Sequence, residues 1–345
     1  MTIMKFLSKF PLIDEEAAEK AAINYFIRIR YGGILTCPYC KAVVKVYRYR
    51  QVKKLCHCKN CNNSFSPFTG TIFEKSTTPL WKWLYAIFLF IDDPGGVAAL
   101  HIQRKIKVTY KTAFRMLHKI REAMRNGELK AFESLVEVDE TYVGGKPKRY
   151  PPKKGVDLSL LGSSDVSIIE IPDEVPCIVP PIIKPGRGTK KTPVFGIKER
   201  ESGKVYARIM LPDELGKKLT GRQLLDVIEK VCKEGTTIIS DDFSSYKILD
   251  EPDFLMLLDD LEPATRFGHK TVCHSRGEYV APGGVHTNGI ESFWGLFKGG
   301  YRGTYHSMSV KYMQRYLDEF CFRQNIRDIR ETPEAFDLLL RQCVC

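Results

Sequence analysis

Residues Leu135–Tyr142 read LVEVDETY, an alternation of apolar and polar side chains that predicts a β-strand with one face in a core. Asp139 falls within it. A carboxylate among apolar strand neighbours is costly unless it is paired or binds a cation, so this strand is expected to do more than pack. Downstream, Thr192–Ile197 and Lys204–Leu211 predict a hairpin through Glu201–Gly203. Thr220–Cys232 predicts an amphipathic helix, and Thr236–Ser240 a short β-branched strand that ends at Asp241. An acidic residue just past the carboxyl end of a strand holds the usual position of active groups in α/β folds. Asp242 follows directly and is an alternative to it.

The series continues into His286–His306, HTNGIESFWGLFKGGYRGTYH. Ile290, Trp294 and Phe297 recur at helical spacing and predict a buried face, with Glu291 lying off it. Lys298, seven residues on, returns to within about 20° of Glu291, and Gly295 between them leaves a gap without a side chain. Asn288 as N-cap and Gly299–Gly300 as a stop put Glu291 in the first turn. A surface helix with an incidental charge pair would read the same way on this stretch alone. Upstream, however, stand Asp139 within a strand and Asp241 at a strand end. The order strand, hairpin, helix, strand, helix resembles the ribonuclease-H-like fold, in which such positions converge on a pair of divalent cations. Hard Mg²⁺ prefers oxygen ligands and keeps several waters. Two such ions can activate a water or 3′-hydroxyl and stabilise the leaving oxygen, while Lys298 would hold a flanking phosphate. Ser309–Ile326 predicts one more amphipathic helix, bearing Tyr312, Tyr316, Phe320 and Phe322.

Upstream of the strand, Asp14–Arg30 carries helix formers with an acidic first turn and a basic last turn, and Gly32–Gly33 ends it. Cys37-Pro-Tyr-Cys40 and Cys58-Lys-Asn-Cys61 are two Cys-x-x-Cys knuckles separated by seventeen residues, the spacing of a zinc ribbon. Four thiolates fill a tetrahedral Zn²⁺ and leave no open position, so the metal is expected to be structural. The intervening basic segment, with Lys45, Arg48 and Arg50, alternates like a hairpin and is expected to contact DNA. Cys56 and His57 read as bystanders. Thr77 or Thr78 as cap and Pro79 as first helical residue open an apolar helix that Asp92–Gly96 breaks. Val97–Arg104 and Tyr110–Arg125 are helical patterns separated by a helix-turn-helix-length link. The second is basic, with Lys111, Arg115, His118, Lys119, Arg121 and Arg125; Lys111, Arg115 and Lys119 are the expected DNA contacts. An ordinary helical pair with solvated charges is the alternative.

The net charge of +12 favours a polyanionic partner. No apolar run is long enough to cross a bilayer, and the N-terminal stretch lacks a secretory signal pattern. The expected location is the cytoplasm, nucleoid-associated when bound to DNA, with reduced or metal-bound cysteines. Gly144–Lys154 is basic and proline-rich, and Val156–Ile183, with five acidic and no basic residues, reads as an insertion or flap. His286 and His306 flank the key helix, and His269 and His274 precede it. They are expected to fix loops or meet phosphate.

Taken together, VEVDETYVGG, KTPVFGIKER, SDDFSSY, CHSRGEYV and HTNGIESFWGLFKGGYRGTYHSMS resemble the DDE-type insertion-sequence transposases of the ISXO-like group. The resemblance implies a zinc ribbon ahead of a ribonuclease-H-like α/β mixed-sheet catalytic domain. By position it implies Asp139, Asp241 and Glu291 as the residues that hold two Mg²⁺ (or Mn²⁺), with Lys298 trailing and Asn288 an alternative third member. It further implies binding to the element's terminal inverted repeats and to target DNA, cleavage with strand transfer, and at least a homodimer on DNA. A domesticated regulator without cleavage, or a nuclease without strand transfer, are the competing functions. The expected layout is an N-terminal helix and ribbon at 1–75, a helix-turn-helix-like region at 76–130, the catalytic domain at 131–330 with its insertion near 150–190, and a tail at 331–345.

Overall fold

The computed structural model describes residues 14–43, 56–125, 131–144, 191–250, 266–273 and 280–344. Lys45, Arg48, Arg50, His274 and the stretch Val156–Ile183 lie outside the described residues.

Five strands form one sheet: β3 (Leu135–Val143), β4 (Thr192–Glu199), β5 (Val205–Ile209), β6 (Thr237–Asp241) and β7 (Gly268–Val272). Their order is β5-β4-β3-β6-β7. β4 runs antiparallel to both neighbours, whereas β3, β6 and β7 are parallel, the mixed arrangement expected of a ribonuclease-H-like sheet. β1 (Cys56–His57) and β2 (Ser64–Phe65) form a separate two-stranded piece in the ribbon. The hairpin, the β-branched strand and the central strand therefore fall where period-two alternation predicts them.

Each face of the sheet is covered because the strands alternate. Val136, Val138, Phe195, Ile197 and Ile238 point to one side, where the helix Gly221–Val231 lays down Leu224, Val227 and Ile228. That helix opens with a reciprocal capping box between Thr220 and Gln223, which satisfies two of its otherwise orphaned donors. On the other side, Val194, Val205 and Ala207 meet Ile290, Phe293, Trp294 and Phe297 of the helix Asn288–Gly300, and Met313, Leu317 and Phe320 of the helix Val310–Asn325. The second of these also closes the free edge of β5. Asn325 accepts from Val205 N at 2.7 Å and donates to Val205 O at 3.1 Å, and Gln314 accepts from Ile209 N at 2.9 Å and donates to Ala207 O at 3.1 Å. Side-chain amides thus occupy backbone groups that would otherwise template another strand.

In chain order the helices are α1 (Glu15–Tyr31), α2 (Leu80–Asp92), α3 (Ala99–Ile106), α4 (Tyr110–Met124), α5 (Gly221–Val231), α6 (Asn288–Gly300), α7 (Val310–Asn325) and α8 (Pro333–Val344). α1 to α4 and α8 share a single apolar core. The segment 331–345, expected as a tail, therefore contributes a packed helix: Phe336, Leu339 and Leu340 are wholly buried. α1, expected to travel with the ribbon, packs into this same core through Ala18, Ala22 and Phe26.

Several local expectations are corrected. Pro79 is the N-cap of α2 and not its first helical residue. Thr287, not Asn288, caps α6. Gly299–Gly300 does not stop α6, because the chain runs on through a π-helical turn, Tyr301–Tyr305, and breaks at His306 with φ 56°. Gly300 serves packing instead: a Cβ there would overlap the Phe320 ring, whereas one at Gly299 would meet nothing within 4 Å. On α4, His118 and Arg121 are buried. Phe114, Tyr312 and Tyr316 surround the imidazole, and burial pulls its pKa down to about 4.

Gly300→Ala is expected to destabilise the protein by about 1–3 kcal/mol in urea unfolding, through overpacking of α6 on α7. Gly299→Ala, which adds helix propensity in open space, is expected to be neutral or to stabilise by about 0.5–1 kcal/mol.

Candidate metal and nucleic-acid site

Pairing of β3 with β6 runs in register from Leu135↔Thr237 to Glu137↔Ile239. Two residues further, the same register sets Asp139 beside Asp241 on the face that α6 covers. Candidate ligand oxygens of Asp139, Glu140 and Asp241 lie within 4.8 Å of one another. Glu140 was not singled out in the sequence because alternation sends it to the opposite face from Asp139. β6 ends at Asp241, so past that point a long side chain can turn round the strand end. The buried Tyr246 hydroxyl donates to Glu140 Oε2 at 3.1 Å. The Asp-Glu pair on a strand that outruns its neighbour was the available signal.

Asp139 is held from the side by the Trp294 indole, whose Nε1–H donates to Oδ2 at 3.0 Å. Gly196 is the cross-strand partner of Asp139, and a Cβ there would meet the Trp294 ring at 2.6 Å. A glycine is therefore required opposite the aspartate so that the indole can reach it. Burial pushes the Asp139 carboxyl well above the usual range, and the nearby charges of Glu140, Asp241 and Glu291 push it the same way. Crowded carboxylates of this kind favour either a shared proton or a cation.

Glu291 occupies the first turn of α6, as expected, and Thr287 Oγ1 donates to its Oε1 at 3.1 Å. It is exposed and acts on Asp139 by charge, but it is not among the three carboxylates that meet within 4.8 Å. Lys298, about two turns further on, is near enough to Asp139 to feel its charge: burial lowers the Lys298 pKa and the Asp139 charge opposes that shift. Gly295 between them has open space above it. Asn288 is exposed, with its carbonyl accepting from Ser292.

What sets α6 against the sheet is Glu137, two residues before Asp139 on the same face and 2% exposed. Its Oε2 accepts from the backbone N–H of Ile290 at 3.0 Å, and its Oε1 from Arg200 Nε at 2.7 Å. Arg200 continues to the carbonyls of Gly284 and His286 at 2.8 and 2.7 Å. Lys198 Nζ donates to Gly289 O at 3.0 Å. The first turn of α6, which bears Glu291, is therefore pinned from both sides. A Cβ at Gly289 would meet Glu137 Oε2 at 2.6 Å, so only glycine allows the approach. His286 stands 3.4 Å from Glu137 and His269 bridges Ser240 at 2.9 Å and Asp250 at 2.8 Å. His269 thus ties the end of β6 to Asp250, whereas His286 Nδ1 is buried without a hydrogen-bond partner.

The ribbon presents a second cluster. Sγ of Cys37 lies 3.7 Å from that of Cys61, and Sγ of Cys40 lies 3.7 Å from that of Cys58. Ligands about 2.3 Å from a tetrahedral centre are about 3.8 Å apart, so the four sulfurs have zinc spacing and are far too distant for disulfides. The two knuckles fold alike. Lys41 N donates to Cys37 O and Asn62 N to Cys58 O, with φ 59° and 60° at Lys41 and Asn62. Asn60 donates to Cys40 Sγ and pulls that thiol down to about 6. Cys56 is buried beside the four, and burial raises it to about 11.

Of the expected DNA contacts on α4, Lys111 and Arg115 are exposed. Lys119 instead donates to the Ile72 carbonyl at 2.8 Å, tying α4 to the segment before α2. None of the described helices is long and apolar enough to cross a membrane.

Residues 181–325 match the ISXO2-like transposase domain family; Asp241, Glu291 and Lys298 fall inside that span and Asp139 outside it. A protein of Halobacterium salinarum, an uncharacterized protein in transposable element ISH50, is 28% identical over 317 residues, which is 90% of this chain and 92% of the relative. Among solved structures, the simian T-cell lymphotropic virus intasome with PP2A regulatory subunit B56 gamma aligns at 13% identity and TM-score 0.27, over 65% of this chain and 67% of that one. The Mos1 transposase paired-end complex with left transposon end aligns at 12% identity and TM-score 0.27, over 75% and 78%. Scores this low establish no structural equivalence.

Asp139 has a raised pKa in the fold, so its folded state favours the neutral acid. The stability this contributes is complete below the ordinary aspartate pKa and is lost as pH rises through the folded value. In metal-free buffer at pH 7–8, Asp139→Asn is therefore expected to raise the stability read in urea unfolding. Millimolar Mn²⁺ is expected to raise the thermal midpoint of the wild type and not that of the variant.

Proposed function

From the match of residues 181–325 to the ISXO2-like transposase domain family, we propose that this chain is a DDE transposase that binds the ends of its own element, cleaves phosphodiester bonds there, and joins the freed 3′-OH to target DNA. The observation that carries the reading is the meeting of Asp139 and Asp241 from two parallel strands, with Lys298 near enough to Asp139 to act on it by charge. Two Mg²⁺ or Mn²⁺ ions, when bound, supply activation of a water or 3′-hydroxyl and charge stabilisation at the leaving oxygen.

The remaining work falls to the chain. Asp139 and Asp241 offer oxygens from a rigid sheet, and Trp294 orients one of them by its N–H. Glu291 completes the set from the first turn of α6, oriented by Thr287. Lys298 supplies a point charge for a flanking phosphate. Glu140, tethered by Tyr246, adds negative charge beside the ligands without replacing Glu291. Lys111 and Arg115 on α4, with the ribbon and its basic segment, hold the duplex through its phosphates, and Cys37, Cys40, Cys58 and Cys61 hold one structural Zn²⁺. Two element ends must be brought together, which calls for at least two copies of the chain on DNA.

The test is metal-dependent nicking and joining on a duplex carrying the inverted repeat that flanks the gene. Asp139→Ala and Asp241→Ala are expected to lower nicking by about a thousandfold or more, Glu291→Gln by about a hundredfold, and Glu140→Gln by no more than about tenfold. A reversed order of the two glutamate variants would make Glu140 the third ligand. Nicking without joined product would indicate a nuclease, and binding without nicking a regulator. Zinc chelation or Cys37→Ser is expected to weaken binding to the repeat while nicking of bare DNA survives; equal loss of both would contradict a separate structural role.

A further inference from the structure

The π-helical turn that prolongs α6 is clasped to the loop that leads into α3. Thr304 Oγ1 donates to Gly95 O at 2.8 Å, and the Tyr305 hydroxyl accepts from Val97 N at 3.1 Å. Gly96, at φ 91°, lies so close that a Cβ would overlap the phenol. The same hydroxyl donates to Glu319 Oε1 at 2.6 Å. Glu319, on α7 and wholly buried, is also gripped by Arg121 of α4 at 2.7 Å and by Arg323 at 2.8 and 3.0 Å. Arg323 continues to the Asp93 carbonyl. The Arg121 guanidinium lies over the Tyr305 and Tyr316 rings, 5.2 and 4.2 Å from their centroids.

These contacts have a direction. Glu291 and Lys298 stand on α6, Tyr305 at the end of its continuation about 20 Å from Glu291, and Arg121 on the helix that exposes Lys111 and Arg115. A buried carboxylate with two guanidiniums and a phenol is costly to assemble and is no better for stability than apolar packing. What it provides is one fixed geometry. π-turns inside helices also cluster at functional positions.

Resting on the transposase reading above, we propose that the Tyr305–Glu319–Arg121 contact is a positioning joint that fixes the distance between duplex held on α4 and the carboxylates beside α6, and so selects which phosphodiester bond is cut. Tyr305, Thr304 and Glu319 are positioning residues and touch neither DNA nor metal. Misplacement of about 1 Å at a reacting centre costs on the order of a hundredfold in rate. A loosened joint therefore lowers cleavage at the wild-type bond relative to its neighbours.

The test uses the full-length chain, Mn²⁺ and a labelled duplex carrying the flanking inverted repeat, read at single-nucleotide resolution beside a binding titration. Tyr305→Phe keeps the ring and loses the hydroxyl; Thr304→Ala loses only the contact to Gly95 and leaves the buried cluster untouched, so it keeps the fold. Both are expected to bind the duplex within about twofold of wild type. Wild type is expected to cut at one bond, and the variants at several, Tyr305→Phe more broadly than Thr304→Ala. A merely structural role would lower binding and cutting together without moving the cut. That result, or cutting at the wild-type bond at the wild-type rate, would overturn the joint while leaving the transposase reading intact. A wild type that binds and never cuts would overturn both.

Discussion

The geometry of the site depends on one buried carboxylate, Glu137. It sits on the same strand face as Asp139, and its oxygens are spent on the first turn of α6 and on Arg200. A buried ion pair of this kind is weak evidence for stability, because desolvation offsets much of its attraction. Its value lies in direction: a backbone N–H, a guanidinium and two carbonyls can be satisfied together in only one arrangement of helix on sheet. With that arrangement set, Trp294 reaches Asp139, and Glu291 and Lys298 come near enough to act on it by charge. Residues two positions apart thus differ in setting: Glu137 fixes the frame, and Asp139 is set beside Glu140 and Asp241.

Much of this was legible in the sequence. The alternation of Leu135–Tyr142, the β-branched run before Asp241 and the apolar face of Ile290, Trp294 and Phe297 each mark a local period that the fold keeps. The four cysteines were legible because ligand spacing is a short-range property. Other features depend on long-range partners and could not be read in the same way. Arg121 looks like a surface residue of a basic helix until Glu319, 198 residues further on, buries it. Lys119 was expected on DNA for the same reason and is held by the Ile72 carbonyl. Gly299–Gly300 read as a stop because glycine usually ends helices, whereas here Gly300 lets two helices touch. The C-terminal helix was missed because its burial needs α1 to α4 to be in place first.

The carboxylate cluster carries a cost in stability. Asp139 is crowded by Glu140, Asp241 and Glu291 and held in a setting that disfavours its charge. A sequence chosen for stability alone would not gather them. In the ribbon, paired knuckles bring four sulfurs to zinc spacing, and among the described residues the apolar side chains beside them are Leu35 and Phe65, with Tyr31 packed against them.

The central claim, that Asp139 and Asp241 hold divalent cations together, is tested most directly by the anomalous scattering of Mn²⁺ in crystals of the protein. The account predicts a peak bounded by carboxylate oxygens of both residues, with Glu291 drawn in toward it, and no such peak in Asp139→Asn. Mn²⁺ bound elsewhere while these two side chains remain unliganded would contradict it.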